Sequence, residues 1–564
     1  MQPAEQVGPA WFRDMTDDSN LDFSYRNGEE ADHFSILESL GGGVGLIDYD
    51  LDGLLDVLLI GGGYFDGPDQ KRISGHPCRI YKNLGDWKFK EVTREVGLAD
   101  VSWWYTHGVS VADYDRDGWP DLAISGYGRL ALFHNEAGEN ASRRFVDVTK
   151  EVGLIDDSWS TSVGWGDLDG DGYPDLYACH YVDWSFDNHV FCPGVIPGKE
   201  REVCSPSFFK PLKHALFHNE AGRNFRNEAD KHQFRAEGAG LGVLMVDLND
   251  DARPDILATN DMTPNFLFFN RHGTLEEDAG RAGIAFDEQG RPNGNMGVDA
   301  GDYDGSGRPS LWVTVYQNET NILARNLGKE VFQHQSSAAG IGAVGQHFVA
   351  FGTGFTDVDN DGWEDLLIAN GHVFRYPPGD GRKQLPLLLH NRDYRGRRSF
   401  KSLGAQGGAF FSARNIGRGL AIGDIDNDGW ADLIVSHTNG PAILLRNQAG
   451  DAHSAHHWIG FQLVGRDNRD IVGSTVIVES QDRTLTRFTK GGGSYCSSGD
   501  RRLLFGLETS DSVERVTVKW SWGETESWAK LATDRYWELR EGECAATSSI
   551  HNAAGNLDSQ STNR

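Results

Sequence analysis

Positive charge is what this sequence lacks most. Its 564 residues carry 53 Lys+Arg against 83 Asp+Glu, a formal net charge of −30. Binding a phosphate backbone needs a basic surface, so nucleic acid is excluded as the main partner and an anionic membrane surface is disfavoured. Long hydrophobic runs are missing too: no stretch of roughly 18 apolar residues occurs, which excludes a membrane-spanning helix. The opening MQPAEQVGPAWF lacks the basic and apolar regions of a secretory leader, as would a mature chain whose leader had been removed. Catalytic signatures are absent as well, with no G-x-S-x-G elbow, H-E-x-x-H pair or phosphate loop. What the chain does have is 70 Gly, 16 Trp, 16 Tyr and 29 Phe. That much aromatic surface argues against a disordered acidic chain, and the length calls for one large ring or several domains.

The acids recur at fixed spacing. D-x-D-x-D-G-x-x-D starts at Asp48, Asp113, Asp167, Asp357 and Asp424, with weaker copies at Asp247 (DLNDDARPD) and Asp302 (DYDGSGRPS), seven in all. Small and apolar residues precede each copy, and an apolar run that reads as a buried strand follows most of them. A third segment ends at Asn83, Asn135, Asn219, Asn270, Asn326, Asn391 and Asn447. An outer segment then begins at Phe89, Phe145, Phe225, Thr274, Phe332 and Phe400, but the seventh repeat has none. Its counterpart stands at the other end of the chain, where Phe12-Arg13-Asp14-Met15-Thr16 has the same form. Four strands per repeat, with one borrowed from the N-terminus (about residues 10–18), predict an all-β chain: a seven-bladed β-propeller over 1–450, closed so that no blade edge stays open.

In a tight D-x-D-x-D-G loop the alternating carboxylates converge, Gly at position 6 allows the turn, and a carbonyl at 7 with an acid at 9 completes a hard-oxygen cage suited to Ca²⁺. The bland alternative, an Asp/Gly turn without metal, loses ground when five full copies recur. The predicted ligands are Asp48, Asp50, Asp52 and Asp56; Asp113, Asp115, Asp117 and Asp121; Asp167, Asp169, Asp171 and Asp175; Asp357, Asp359, Asp361 and Asp365; and Asp424, Asp426, Asp428 and Asp432. The fourth copy offers Asp247, Asn249, Asp251 and Asp255, with Ala252 in place of the turn Gly, a strained choice if the backbone there is left-handed. The fifth keeps only Asp302 and Asp304, since Ser306 and Ser310 replace two carboxylates, and is expected to be weak or empty. Five to six Ca²⁺ ions are therefore expected. These positions hold 25 of the 83 acids, so much of the negative charge is ligand rather than free surface.

These loops resemble the FG-GAP/VCBS repeats of integrin α-chain heads, and stretches such as GNMGVDAGDYDGSG and TGFTDVDNDGWEDLLIANGHV resemble the bacterial relatives of cartilage acidic protein. The resemblance implies an integrin-α-like propeller, secretion and calcium in the loops between the first two strands of each blade. From His456 the pattern stops. Short alternating segments (WIGFQLV, STVIVES, LTRFTK, RLLFGL, VERVTVKW, YWELRE) predict an appended β-sandwich over 456–544. With Gly491-Gly492-Gly493-Ser494-Tyr495 and the VKWSWG turn, this part resembles the ASPIC/UnbV domain, with Ser521 where that family usually has Pro. Residues 545–564 read as a disordered tail.

The first, third and sixth repeats have a longer path from loop to Asn, with the additions between second and third strands. Such connections share one propeller rim, opposite the acid loops. That rim is the candidate ligand face, carrying Trp103, Trp104, Tyr105, His107, Trp159, His180, Trp184, Asp261, Asn265, Glu319, His372 and His437, where rings stack and polar groups orient a sugar or peptide. The bland alternative is that the tryptophans plug the channel or pack under an insertion. The six Cys fit an oxidising compartment: Cys192 and Cys204 bracket a span of the third insertion, Cys496 and Cys544 are a possible pair, and Cys179 is a buried thiol or a partner of Cys78. The resulting expectation is a secreted or periplasmic, calcium-dependent recognition or adhesion module for an extracellular protein or glycan. Its alternative is an enzyme or biosynthetic accessory protein acting on the insertion-bearing face.

Overall fold

The computed structural model describes residues 9–548 except 139–141, 380 and 482. Seven antiparallel four-stranded sheets follow one another. The first runs from an inner strand Val44–Ile47 through Asp56–Leu59 and Arg79–Asn83 to an outer strand Phe89–Glu91. Sheets two to six repeat this order, each with an outer strand following its Asn. The seventh takes its outer strand from the N-terminus: Phe12–Asp14 pairs with Gly440–Asn447 in the register Phe12↔Asn447, Asp14↔Leu445. The seven inner strands neighbour one another in order, and the seventh, Gly417–Gly423, returns beside the first. Nearly every residue of the first two strands of each sheet is buried, hence their unbroken apolar and small-residue runs.

The C-terminal unit is two four-stranded sheets facing each other over Ile459, Phe461, Val476, Val478, Val516, Trp520 and Leu539. One of these sheets extends to Thr547–Ser548, which pair with Trp537 and Glu538. The first residues assigned to the disordered tail are therefore strand, because Trp537 and Glu538 offer a free edge; the remainder, 549–564, lies outside the described residues.

This unit is not merely appended. Its segment from Gly491 to Asp500 leaves the sandwich and runs into the propeller axis. Gly491–Gly492 adds a fifth strand to the fourth sheet, and further bonds reach all seven inner strands. Ser498 N donates to Val44 O at 2.9 Å, Val109 N to Cys496 O at 3.1 Å, Gly493 N to Val243 O at 2.8 Å, Ser494 N to Val298 O at 2.7 Å and Asp500 N to Ile422 O at 2.9 Å. Side chains complete the set: Cys496 N donates to Ser162 Oγ at 2.9 Å and Thr353 N to Ser494 Oγ at 3.1 Å. Glycine is required where the segment enters, since a Cβ on Gly491 would stand 1.7 Å from Trp165 O. At the far end the buried Tyr495 donates to Leu40 O at 3.1 Å and meets the edge of Phe351 at 4.9 Å.

The opposite rim is capped. The first insertion is a hairpin, Gly63–Asp66 with Arg72–Gly75, and the third is another, Cys192–Ile196 with Lys199–Glu202. A disulfide joins Cys192 to Cys204. Glu202 accepts bonds from Arg375 N at 2.9 Å and Tyr376 N at 2.8 Å, and Arg375 pairs with Asp32 and Glu38, tying the third and sixth insertions to the N-terminal segment. The other proposed disulfides are absent. Cys496 is buried in the axial segment while Cys544 is exposed, so they cannot meet, and Cys78 and Cys179 are separate buried thiols.

Candidate metal loops and the capped face

Each acid loop is shaped by two left-handed residues, at positions 4 and 6 of the motif. In the first loop these are Leu51 (φ 53°) and Gly53 (φ 87°); in the fourth, Asp250 (φ 64°) and Ala252 (φ 59°). The strain foreseen at Ala252 is therefore present, at a cost of about 1 kcal/mol. The carboxylate at position 1 organises the turn: Asp48 accepts from Asp52 N at 3.0 Å and Gly53 N at 2.9 Å. Position 9 closes it, Asp56 accepting from Tyr49 N at 3.2 Å and Asn83 N at 2.8 Å.

The repeat's Asn proves to be an inter-sheet staple. Asn135 Nδ2 donates to Tyr49 O at 2.8 Å, in the loop of the preceding sheet, and to Pro120 O of its own at 3.1 Å. The same reach back recurs in every sheet: Asn219 to Tyr114, Asn270 to Leu168, Asn326 to Leu248, Asn391 to Tyr303, Asn447 to Val358 and Asn83 to Ile425.

Burial and crowding disfavour the charged form of several of these acids. Burial, reinforced by neighbouring carboxylates, pushes Asp48 up to about 6 and Asp113 and Asp167 to about 7. At position 3, Asp50 Oδ1, Asn249 Oδ1, Asp359 Oδ1 and Asp426 Oδ1 are buried without a hydrogen-bond partner. Buried orphan oxygens at the same place in four loops are what a cation-binding cage leaves behind when only protein atoms are counted. The donor set fits Ca²⁺.

Sequence reasoning missed the residue just before each Asn. It is Lys82, His134, His218, Phe269, Arg325, His390 and Arg446 in turn, and all but Phe269 lie against their own acid loop. Lys82 Nζ sits between Asp50 and Asp52, 2.9 Å from the latter, and Arg446 lies 3.2 Å from Asp426 and 3.1 Å from Asp428. His134 and His218 are raised to about 9, chiefly by their bonds to Asp121 and Asp175. The signal was a run of basic residues and His in a slot read as variable.

The capped face departs from expectation. Of the twelve residues placed there, Tyr105, His107, Trp159, His180, Trp184, Asn265, His372 and His437 are buried. Trp159, Trp184 and Tyr105 belong to an aromatic core that also takes in Tyr181, Phe209 and the plug's Tyr495. His180 lies 2.7 Å from Asp156 Oδ2 and 2.5 Å from Lys213 O, so both ring nitrogens are engaged in the fold. Trp103 and Trp104 are half-buried, stacked at 5.7 Å, and pack under the first insertion, whose Gly75 N donates to Trp103 O at 3.2 Å. The physical reason is that three insertions and the N-terminal segment cover the axis and need an apolar underside. Of the twelve, only Asp261 and Glu319 remain partly buried polar groups, Asp261 accepting from Tyr181 Oη at 2.6 Å and Glu319 from Gly294 N at 2.9 Å.

A ring of repeated acid loops, stapled by Asn and plugged by a C-terminal sandwich, defines a class: the chain carries FG-GAP-like repeats, matched over residues 48–124, 113–178 and 357–435, and an ASPIC and UnbV domain, matched over 465–546. Among named proteins it is similar to cartilage acidic protein 1 of Mus musculus, 23% identical over 485 residues spanning 74% of this chain and 71% of that one, and of Homo sapiens, at 22%, 74% and 69%. A solved lectin of Agrocybe aegerita, described as specifically recognising non-reducing terminal N-acetylglucosamine, covers 70% of this chain and 85% of its own at 14% identity and a TM-score of 0.38. Among the described residues no helix is long and apolar enough to cross a membrane.

Proposed function

We propose that the chain is an exported, calcium-clamped recognition module whose partner is an extracellular protein or glycan. One observation carries the placement of the partner site. Around the Cys192–Cys204 bridge, Phe191, Val195 and Phe208 are 64%, 68% and 62% exposed and Met262 is 48% exposed, four large apolar side chains left facing solvent. Ser205 Oγ lies 3.2 Å from Met262 Sδ, so the 205–208 turn and Met262 adjoin, and the partly buried Asp261 directly precedes Met262 in sequence. An apolar centre with a polar margin is the composition of a protein-binding patch. The disulfide supports passage through an oxidising compartment. The orphaned position-3 oxygens and the convergence of carboxylates in each full loop support calcium, with five to six loops available and the ions structural. His180, on the insertion-bearing face where the enzyme alternative would act, has both ring nitrogens engaged by Asp156 and Lys213, which weakens the enzyme reading.

The test is a calcium-supplemented screen of the full chain against protein and glycan arrays, with Phe191→Ser/Phe208→Ser as the companion variant. Capture lost in the variant at unchanged metal content is the expected result. Capture retained would remove the site from this patch. Substrate turnover that disappears in Glu319→Gln would replace the module with an enzyme.

A further inference from the structure

Position 4 of each acid loop is a left-handed residue between two ligand positions. A turn that makes the carboxylates at 1, 3 and 5 converge presents position 4 on its other side, and in five loops position 4 meets the C-terminal sandwich. In the second loop Arg116 Nη2 donates to Asp467 O at 2.8 Å. In the third, Gly170 lies against the ring of Trp522, where a Cβ would stand 2.8 Å from Cε3, and Trp522 Nε1 donates to Asp167 O at 2.9 Å. In the fourth, Lys519 Nζ lies 2.6 Å from Asp250 Oδ1, and Trp522 N donates to Ala252 O at 2.8 Å. In the sixth, Glu508 N donates to Asn360 O at 2.8 Å. In the seventh, Arg502 Nη1 donates to Asn427 Oδ1 at 2.6 Å.

The seventh loop is gripped at its first ligand position as well. Tyr536 Oη donates at 2.8 Å to Asp424 Oδ2, the same oxygen that accepts from Gly429 N at 2.7 Å to shape the turn. Arg502 Nη2 donates to Asp424 O at 2.7 Å, and its Nε to Asp500 Oδ2 at 2.8 Å. Asp500 is the end of the axial segment, with its N bonded to Ile422 O at 2.9 Å. The plug and the seventh loop are thus joined through two residues of chain. One turn geometry serves both functions: it aims carboxylates at an ion and offers position 4 to the sandwich. Carboxylates crowded without an ion disfavour that geometry, and a loop that relaxes loses its sandwich contacts with it.

We propose that the sandwich is a metal-dependent latch: it docks on the ion-loaded shape of the acid loops and thereby seats Gly491–Asp500 in the propeller axis, with Tyr536 and Arg502 as positioning residues for the seventh loop. This rests on the reading that the loops hold Ca²⁺ and adds what their loading controls.

The experiment is amide hydrogen exchange on the full chain, saturated with Ca²⁺ or stripped with EGTA, with the metal counted by mass spectrometry in both states. Stripping should speed exchange at 493–498 at least tenfold, while the sandwich strand Thr475–Ser480 keeps its protection. Exchange at 493–498 unchanged after the metal has gone would overturn the latch and leave the calcium reading standing. Equal loss of protection at 475–480 would also overturn it, because the chain would then be unfolding as a whole. A folded chain that binds no Ca²⁺ at all would overturn both readings. Coupling is reciprocal, so Tyr536→Phe, which keeps the ring and removes the hydroxyl, should give up one Ca²⁺ at a chelator concentration that the wild type withstands. A merely structural tyrosine would leave that count unchanged, and an unchanged count would refute the role given to Tyr536. Should the variant fail to fold, the wild-type exchange comparison still decides.

Discussion

Replacing Gly491 with Ala tests whether the axial segment is an integral part of the propeller. The new Cβ would stand 1.7 Å from Trp165 O, half the 3.4 Å at which ordinary contact begins. That oxygen cannot swing away, because Trp165 is buried in an inner strand and paired with Leu176. The segment must instead back out by about 1.7 Å, and hydrogen bonds stretched that far are lost. Those nearest are the pairing of Gly491 and Gly492 with Met245 and Leu244, and the donations from Gly493 N and Ser494 N. At about 1 kcal/mol each, three or four such bonds amount to about 3–4 kcal/mol. For a unit this large the melting temperature should drop by only about 3 °C, so melting is a weak reporter. Amide hydrogen exchange at 493–498 is a strong one: a local opening cheaper by that amount exchanges roughly 100 to 1,000 times faster. Gly280→Ala, whose Cβ would meet nothing within 4 Å, is the control. Exchange at 493–498 as slow in Gly491→Ala as in the wild type would refute the plug's role.

Further outcomes follow from the same geometry. Asn219→Ala should cost about 2–3 kcal/mol, because Tyr114 O and Pro174 O, which accept at 2.8 and 3.0 Å, lose their buried donor; a urea midpoint equal to that of wild type would show that the Asn is no staple. Chelation should lower the melting temperature substantially, and Asp169→Ala should do so by a smaller amount through one loop. A calorimetric melt unmoved by EGTA, together with no metal by mass spectrometry, would dispose of the calcium argument. Glu319 is pushed from 4.5 to about 7, first by burial and then by Asp261 among its neighbours. The folded state therefore holds a proton that the unfolded state releases between those values, so stability should fall as pH rises from about 5 to 8. Glu319→Gln should flatten that part of the profile in urea unfolding at pH 5.5 and 8, and an identical slope would contradict the burial.

What could be read from the sequence was whatever repeats. Seven acid motifs, seven Asn and the stray Phe12–Asp14 specify the ring because each unit must bury the same faces, and recurrence makes a weak local signal strong. The Asn was legible as a marker but not as a staple, since its acceptor lies on the neighbouring sheet. The plug was illegible for a related reason: Gly491–Asp500 occurs once, reads as a polar Gly/Ser loop, and finds its propeller partners between Leu40 and Ile422, far away in sequence. Depth was the other blind spot. Composition announced a surplus of aromatics, but whether Trp159 and Trp184 face solvent depends on what covers them, and the cover comes from insertions without periodicity. The slot before the Asn is the instructive middle case. Its residues vary, yet six of the seven are Lys, Arg or His, and each of these six stands against its own acid loop. Variation confined, but for Phe269, to nitrogen-bearing side chains beside carboxylates is itself a pattern, because a crowded acid loop needs compensating charge from the strand that lies against it.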